Sequence, residues 1–201
     1  GSILTAQAMA DHFDAMLPTC GLVEAIEVAA TVFVPASPKA FNDTDWMSVN
    51  AWRKHESRIA AELAKFPAGV YAPGASLVAS VGKRYVMHPA LAEDAPPWNV
   101  ARTPDAGTMF GWRQGPSFAR GSWIQSPQVG ASFAHEATYF DYSHCTRLVR
   151  RAARLNGQEV DLADIYRDRP DLVMRGIGGF PVPARHPLAG PPLAPGGGVF
   201  V

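Results

Sequence analysis

The chain carries no surplus of one charge: 18 Lys and Arg stand against 18 Asp and Glu. It therefore lacks the positive field with which nucleic-acid and anionic-membrane binders gather their partners, and no nucleic-acid partner is expected. It also lacks any apolar run near the ~18 residues that crossing a bilayer takes, so no transmembrane segment is expected. Cysteine is scarce, with Cys20 and Cys145 the two present. An oxidising compartment would allow them a disulfide, but two widely separated cysteines are more often ordinary buried thiols. There is no phosphate-binding glycine loop, no zinc-finger spacing and no GxSxG nucleophile elbow. Three familiar routes from motif to reaction are thereby closed. The start of the chain has neither the charged nor the apolar region of a signal peptide. Gly1-Ser2 looks like a cloning remnant, so a removed export signal, and with it a secreted or periplasmic home, stays open.

Proline and glycine are plentiful, at 18 each, and hydrophobic residues make up 47% of 201 positions. That length supports one well-buried core, and the frequent turn formers favour an α+β domain over a helical bundle. We expect N-terminal helices packed on a small, mainly antiparallel sheet. The single domain should span residues 1–175, and the Gly/Pro-rich residues 176–201 should form an irregular C-terminal arm over the surface.

Apolar residues at Ile3, Ala6, Met9, Ala10, Phe13 and Leu17 predict an amphipathic helix from Ile3 to Met16, stopped by Pro18. Thr19 is placed to cap a second helix to about Thr31, and Asp45 a third from Trp46 to about Lys65. Short β-like runs follow at Val70–Tyr71, Ser76–Val81, Arg84–Met87, Met109–Trp112, Ser122–Gln125 and Thr138–Tyr142, with a proline-rich loop over residues 88–107. Beyond Ser143 two patterns compete. Leu148, Val149, Ala152, Ala153 and Leu155 suit a helix, whereas Asn156-Gly157 suits a hairpin turn. Local propensity favours the helix slightly, and it would line Arg147, Arg150, Arg151 and Arg154 along one face. A short helix over Leu162–Tyr166 comes next.

The stretch SFAHEATYFDYSHCTRLVRRAAR, from Ser132, holds between His135 and Cys145 two of six histidines, two acidic residues, a serine and a cysteine. Such density marks a candidate site. Phe110-Gly111-Trp112, Ile124-Gln125, the lone His135, and Tyr139-Phe140-Asp141-Tyr142-Ser143-His144 before Arg147-Leu148-Val149 resemble a group of largely uncharacterised bacterial proteins. That group's pattern runs YGW, IQPL, a single His and YxDYSHGxRLV. The resemblance extends upstream to Leu77-Val78-Ala79 and Lys83 and covers about half the chain. Cys145 stands where the group has Gly, and Val81-Gly82-Lys83-Arg84 replaces most of its GHKKD, so no upstream catalytic His or Asp carries over. The group has no established reaction; the resemblance implies a place for the site and not its chemistry.

Several chemistries fit these residues. On a strand, Asp141 and Ser143 share one face and His144 the other, so Asp141 and His144 cooperate only across a bend, which a turn or helix start at Ser143 would provide. His135, brought in across a hairpin, would complete an imidazole or imidazole–carboxylate pair for proton transfer near neutral pH. Two imidazoles and a carboxylate also suit a metal with open positions, with zinc the candidate cofactor and Glu136 a general base, although HExxH spacing is absent because residue 139 is Tyr. A cysteine reading uses Cys20 at a helix start, His88 as base and Asn99 to orient it. The plain alternative is that Asp141 caps backbone and each histidine satisfies a buried partner.

The leading expectation is a hydrolase acting on an extracellular or cell-wall polymer, with a smaller substrate as the other option. His135, Asp141, Ser143, His144 and Arg147 would be catalytic, with Asp141 orienting an imidazole and Arg147 stabilising an anionic group. Trp112, Gln125, Tyr139 and Tyr142 would bind substrate, and Trp98 and Trp123 would add aromatic surface. The competing expectation is a non-catalytic ligand- or partner-binding module in which the same cluster is a scaffold. No feature of the sequence specifies an oligomeric state.

Overall fold

A computed structural model describes residues 1–37, 45–92, 106–111, 132–174 and 180–192. The strand expected at 122–125 and the side chains Trp98, Asn99, Trp112, Trp123 and Gln125 lie outside the described residues. The fold is α+β, with N-terminal helices against small sheets. Helix α1, Ile3–His12, is capped by Ser2, whose Oγ accepts the Thr5 amide, and it buries Ile3, Ala6 and Ala10. It ends before the expected Met16 because Asp14 takes a positive φ of 47°. The next two residues then form strand β1, Ala15–Met16, rather than another helical turn.

Thr19 caps helix α2, Cys20–Ala29, as its sequence position predicts: Oγ1 accepts the Leu22 amide at 3.3 Å. The same hydroxyl donates to the Val173 carbonyl, tying the helix start to the far end of the chain. Gly21 lets these two backbones meet, since a Cβ there would stand 2.2 Å from the Val173 carbonyl oxygen. Strand β2, Val32–Phe33, follows. Helix α3, Val49–Leu63, starts later than expected because Ser48, not Asp45, accepts the free Ala51 amide. Asp45 instead receives the Ser48 hydroxyl at 3.2 Å.

Strand β3, Val78–Ala79, lies parallel to β2. Strands β4 (Lys83–Tyr85), β5 (Ala106–Phe110), β6 (Ser132–Glu136) and β7 (His144–Cys145) form a four-stranded sheet in the order β6-β5-β4-β7. Its β6-β5-β4 part is antiparallel, as expected, while β7 runs parallel to β4. No strand forms over Thr138–Tyr142; turns occupy that region.

The fork after Ser143 resolves toward strands. Strand β8, Val149–Arg150, pairs with β1, and β9, Ala152–Leu155, pairs with β10, Gln158–Asp161. Asn156 and Gly157, at φ 51° and 83°, supply the two left-handed residues of a tight hairpin turn. Alternate burial then decides against the helix, because Ala153, Leu155 and Val160 all reach the main core from one hairpin. The arginines accordingly do not share a helical face, and Arg151 pairs with Asp161 across the hairpin at 2.8 Å. Helix α4, Leu162–Asp168, buries Tyr166 completely, and its hydroxyl donates to the Leu17 carbonyl at 2.8 Å.

The main core gathers Ile3, Leu17, Tyr85, Met109 and Tyr166. Residues 180–192 contain no helix or strand and run largely exposed over the surface, as expected of the arm, but two buried residues, Val182 and His186, anchor them. The Val182 amide donates to the Tyr166 carbonyl at 2.8 Å, and His186, 1% exposed, reaches the Ala106 carbonyl through Nε2 at 3.1 Å. Among the described residues no helix is long and apolar enough to cross a membrane.

Adding one methyl group at Gly21 should cost about 1–3 kcal/mol by forcing α2 away from Val173. Urea denaturation of Gly21→Ala should show a lower midpoint at unchanged slope. An unchanged midpoint would mean that the contact relaxes freely.

Candidate functional site

Strand pairing sorts the charged residues onto two faces. Lys83 sits opposite His144, and Arg84 opposite Cys145, in the parallel β4–β7 pair. Residues opposite one another share a face and neighbours along a strand alternate, so Lys83, Tyr85 and His144 face one way and Arg84 and Cys145 the other. Tyr85 is opposite Met109, and Gly107, two residues from Met109, is opposite His135. The β5–β6 register shifts between Gly107 and Met109, and His135 comes to the Lys83, Tyr85 and His144 side, its ring centroid 5.7 Å from that of His144. The same alternation sends the exposed Glu136 to the other face, which does not favour it as a base for this cluster.

Asp141 arrives through a turn. The Ser143 amide donates to Asp141 Oδ1 at 2.8 Å, the Ser143 hydroxyl donates to the same oxygen at 2.6 Å, and the His144 amide donates to the Asp141 carbonyl at 3.2 Å. A short acidic side chain that accepts amides two residues on favours a turn of this kind. It supplies the bend that cooperation between Asp141 and His144 requires. Asp141 Oδ2 consequently lies 3.6 Å from His144 Nε2 and 3.8 Å from Lys83 Nζ, with the Tyr139 hydroxyl donating to it at 3.4 Å. His135 completes the group, and one donor atom from each of His135, Asp141 and His144 lies within 4.8 Å of the others. The His135 ring stacks on Tyr139 with centroids 4.0 Å apart.

Behind His144 stands Tyr85. Its hydroxyl is 2.9 Å from His144 Nδ1 and also within reach of two carbonyls, Gly1 at 2.8 Å and Tyr139 at 3.2 Å. His144 Nε2 is fully enclosed and makes no hydrogen bond. Burial depresses the His144 pKa to about 3, with Lys83 and His135 adding to the effect and Asp141 opposing it. The imidazole is neutral at physiological pH. Burial alone would raise the Asp141 carboxyl; His144, when it carries a proton, then Lys83 and the two Ser143 hydrogen bonds outweigh it and lower the pKa, and with His144 neutral it is Lys83 and Ser143 that keep this effect. Burial, then Lys83, also lowers the pKa of the half-buried His135.

The expected residues separate into a centre and a periphery. His135, Asp141 and His144 converge, with Tyr139 beside them. Ser143 donates its hydroxyl to Asp141 Oδ1 at 2.6 Å, which makes it a support for the carboxylate. Tyr142 turns into a small cluster with Ala51, Trp46 and Trp52, where its ring meets His55 edge-on at 5.2 Å. Arg147 donates to the Val78 carbonyl at 2.9 Å and neighbours Arg84 and Glu27, so its charge is directed toward that cluster and not toward Asp141. Trp112 and Gln125 lie outside the described residues. Cys20 and Cys145 are free thiols. Burial, then Glu24, pushes the Cys20 thiol up, the reverse of what a nucleophile needs, and His88 Nδ1 accepts the Ala90 amide.

Sequence reasoning missed Lys83 as a site residue and missed Tyr85 altogether. Both are ordinary members of an alternating β-run; the strand opposite is what makes them part of the site. The chain matches no protein-family model, no curated protein and no solved structure.

Stability should depend on pH through this cluster. His144 takes a proton near its ordinary 6.5 when unfolded and only near 3 when folded, so between those values the unfolded state binds more protons. Asp141, held below its ordinary 3.8, continues the loss at lower pH. The melting temperature in chelator-containing buffer should therefore fall steadily from pH 7 to pH 4, and His144→Asn should flatten that dependence. A melting temperature independent of pH would mean that His144 binds its proton equally well in the folded and unfolded chain.

Proposed function

We propose that the protein is a hydrolase in which His135, Asp141 and His144 hold and activate the attacking water. The observation that carries this reading is an ionised carboxylate oxygen and an unpartnered imidazole nitrogen facing each other at 3.6 Å, with a second imidazole alongside at the half-buried edge. Each atom offers a lone pair to a water proton, and general-base assistance of this kind contributes about 10²–10⁴-fold to hydrolysis. His135 is the member with access to solvent, which suits it to exchange a proton with the leaving group. Lys83, 3.8 Å from Asp141, supplies the positive charge for a developing oxyanion, the role first expected of Arg147. Ser143 and Tyr85 are positioning residues, and Tyr139, stacked on His135, lines the approach.

The resemblance to the uncharacterised bacterial group falls on the same stretch and supports placing the site there. An extracellular or cell-wall polymer remains the proposed substrate, resting on the tryptophans of the sequence and on Tyr139 beside His135. A competing reading also has an observation behind it: the Asp141–Ser143 turn and the enclosed His144–Tyr85 pair would equally make a rigid scaffold for a binding module.

The two readings part on His135, whose removal leaves the turn intact. Purified protein should release products from at least one member of a panel of peptidoglycan, acetylated glycan and chromogenic ester or amide substrates. His135→Ala should lower that rate at least about 100-fold, within the range for a lost acid–base group, while melting within a few degrees of the parent. Equal rates for parent and variant, or no turnover across the panel, would sink the hydrolase in favour of the scaffold.

A further inference from the structure

We infer that His135, Asp141 and His144 bind one divalent transition-metal ion of the zinc class, with Tyr85 as the group that aims His144 at it. This gives the water-activating reading a cofactor but rests on donor geometry alone. Tyr85 is decisive. A phenol has one proton, and the two carbonyls beside the Tyr85 hydroxyl can only accept. With that proton on a carbonyl, the contact to His144 must run from the imidazole, Nδ1–H to Oη, at 2.9 Å. Nε2 is then left with a bare lone pair, as metal-ligating histidines are when their other nitrogen is held by an outer partner.

That lone pair faces Asp141. Oδ1 of Asp141 is already committed to both Ser143 donors, so Oδ2 is the oxygen directed at His144. Two acceptors facing each other where the imidazole side chain is 0% exposed repel unless a cation lies between them. A shared proton would draw such a pair to about 2.7–2.9 Å. The observed 3.6 Å is too wide for that and close to the ~3.3 Å separating ligands around a tetrahedral ion with bonds of about 2.0–2.1 Å. His135 is the third ligand. Its donor atom need move inward only by an ångström or two from the 4.8 Å limit of the cluster, on a ring supported by Tyr139 and open on one side.

The donor set selects the ion. Two imidazoles with one carboxylate favour zinc or a neighbouring transition metal over calcium or magnesium, which take mainly oxygen ligands. Cys145 offers no competing thiolate, because the strand sends it to the opposite face from His144. Three protein ligands leave a fourth position for water, the arrangement of catalytic zinc sites. Lys83 is the cation nearest Asp141 Oδ2. It opposes an incoming dication and must yield as the ion binds.

The test uses the full chain, stripped with chelator, desalted and titrated with zinc sulfate by calorimetry, with bound zinc measured after gel filtration. The parent should retain about one equivalent. Tyr85→Phe should weaken binding about 10–100-fold by releasing the His144 tautomer, and His135→Ala and Asp141→Asn should weaken it more. Lys83→Met should bind more tightly than the parent, an effect that a purely structural lysine would not give. Cobalt substitution adds a readout that survives a poorly stable variant, since a tetrahedral N/O site gives visible bands that His135→Ala should abolish. Less than a tenth of an equivalent in the parent, or His135→Ala binding as the parent does, would overturn the inference. Zinc bound without turnover on the substrate panel would remove the hydrolase and uphold the metal site. Turnover in stripped protein that takes up no zinc would do the reverse.

Discussion

The carboxylate of Asp141 is the group on which the site depends, because its two oxygens do different work. Oδ1 closes the turn by accepting the amide and hydroxyl of Ser143, and Oδ2 faces His144, Lys83 and Tyr139. Removing an ionised group from water costs several kcal/mol unless charge and hydrogen bonds replace the lost hydration. Here the turn itself supplies part of that replacement. The backbone geometry that brings Asp141 to His144 is thus held by the same side chain that uses it, which couples local fold and chemistry at one residue.

A second buried charge cluster lies on the opposite face of the same strand. Arg84, 1% exposed, stands 3.6 Å from Glu27, and Glu27 also accepts the Ser80 amide at 3.0 Å. Arg147 joins that side through Val78. The pleat of a three-residue strand therefore keeps two ionic systems apart while lying between them. This separation explains why Lys83 rather than Arg147 is the cation beside Asp141, although Arg147 is nearer in sequence. Tyr85 then links the site to the main core, its ring buried among Ile3, Leu17 and Met109 while its hydroxyl holds His144.

Much of the local structure was legible. The Thr19 cap, the first two helix starts and the α+β class all follow from side chains acting within a few positions of themselves. The failures share a cause. Helix propensity over Leu148–Leu155 is favourable, since Leu, Arg and Ala are good helix formers, yet it yields to partners that a local window does not contain: β1 for Val149 and Arg150, and the hairpin closed by Asn156-Gly157 for the rest. The same holds for the arm, which looks like loose surface chain by composition and is fixed by Tyr166 and Ala106, residues far away in sequence.

What the sequence by itself determined is the chemistry available: which histidines and carboxylates exist, and how closely Asp141, Ser143 and His144 follow one another. Those are properties of composition and of neighbours along the chain. What only the tertiary structure decided is which groups meet. Lys83 and Tyr85 enter the site because strand β4 lies beside β7 in one register, and Arg147 leaves it because a residue's face is set by the strand it pairs with. Register is a long-range agreement between segments some 60 residues apart, and a shift of one residue would exchange Lys83 for Arg84 at His144.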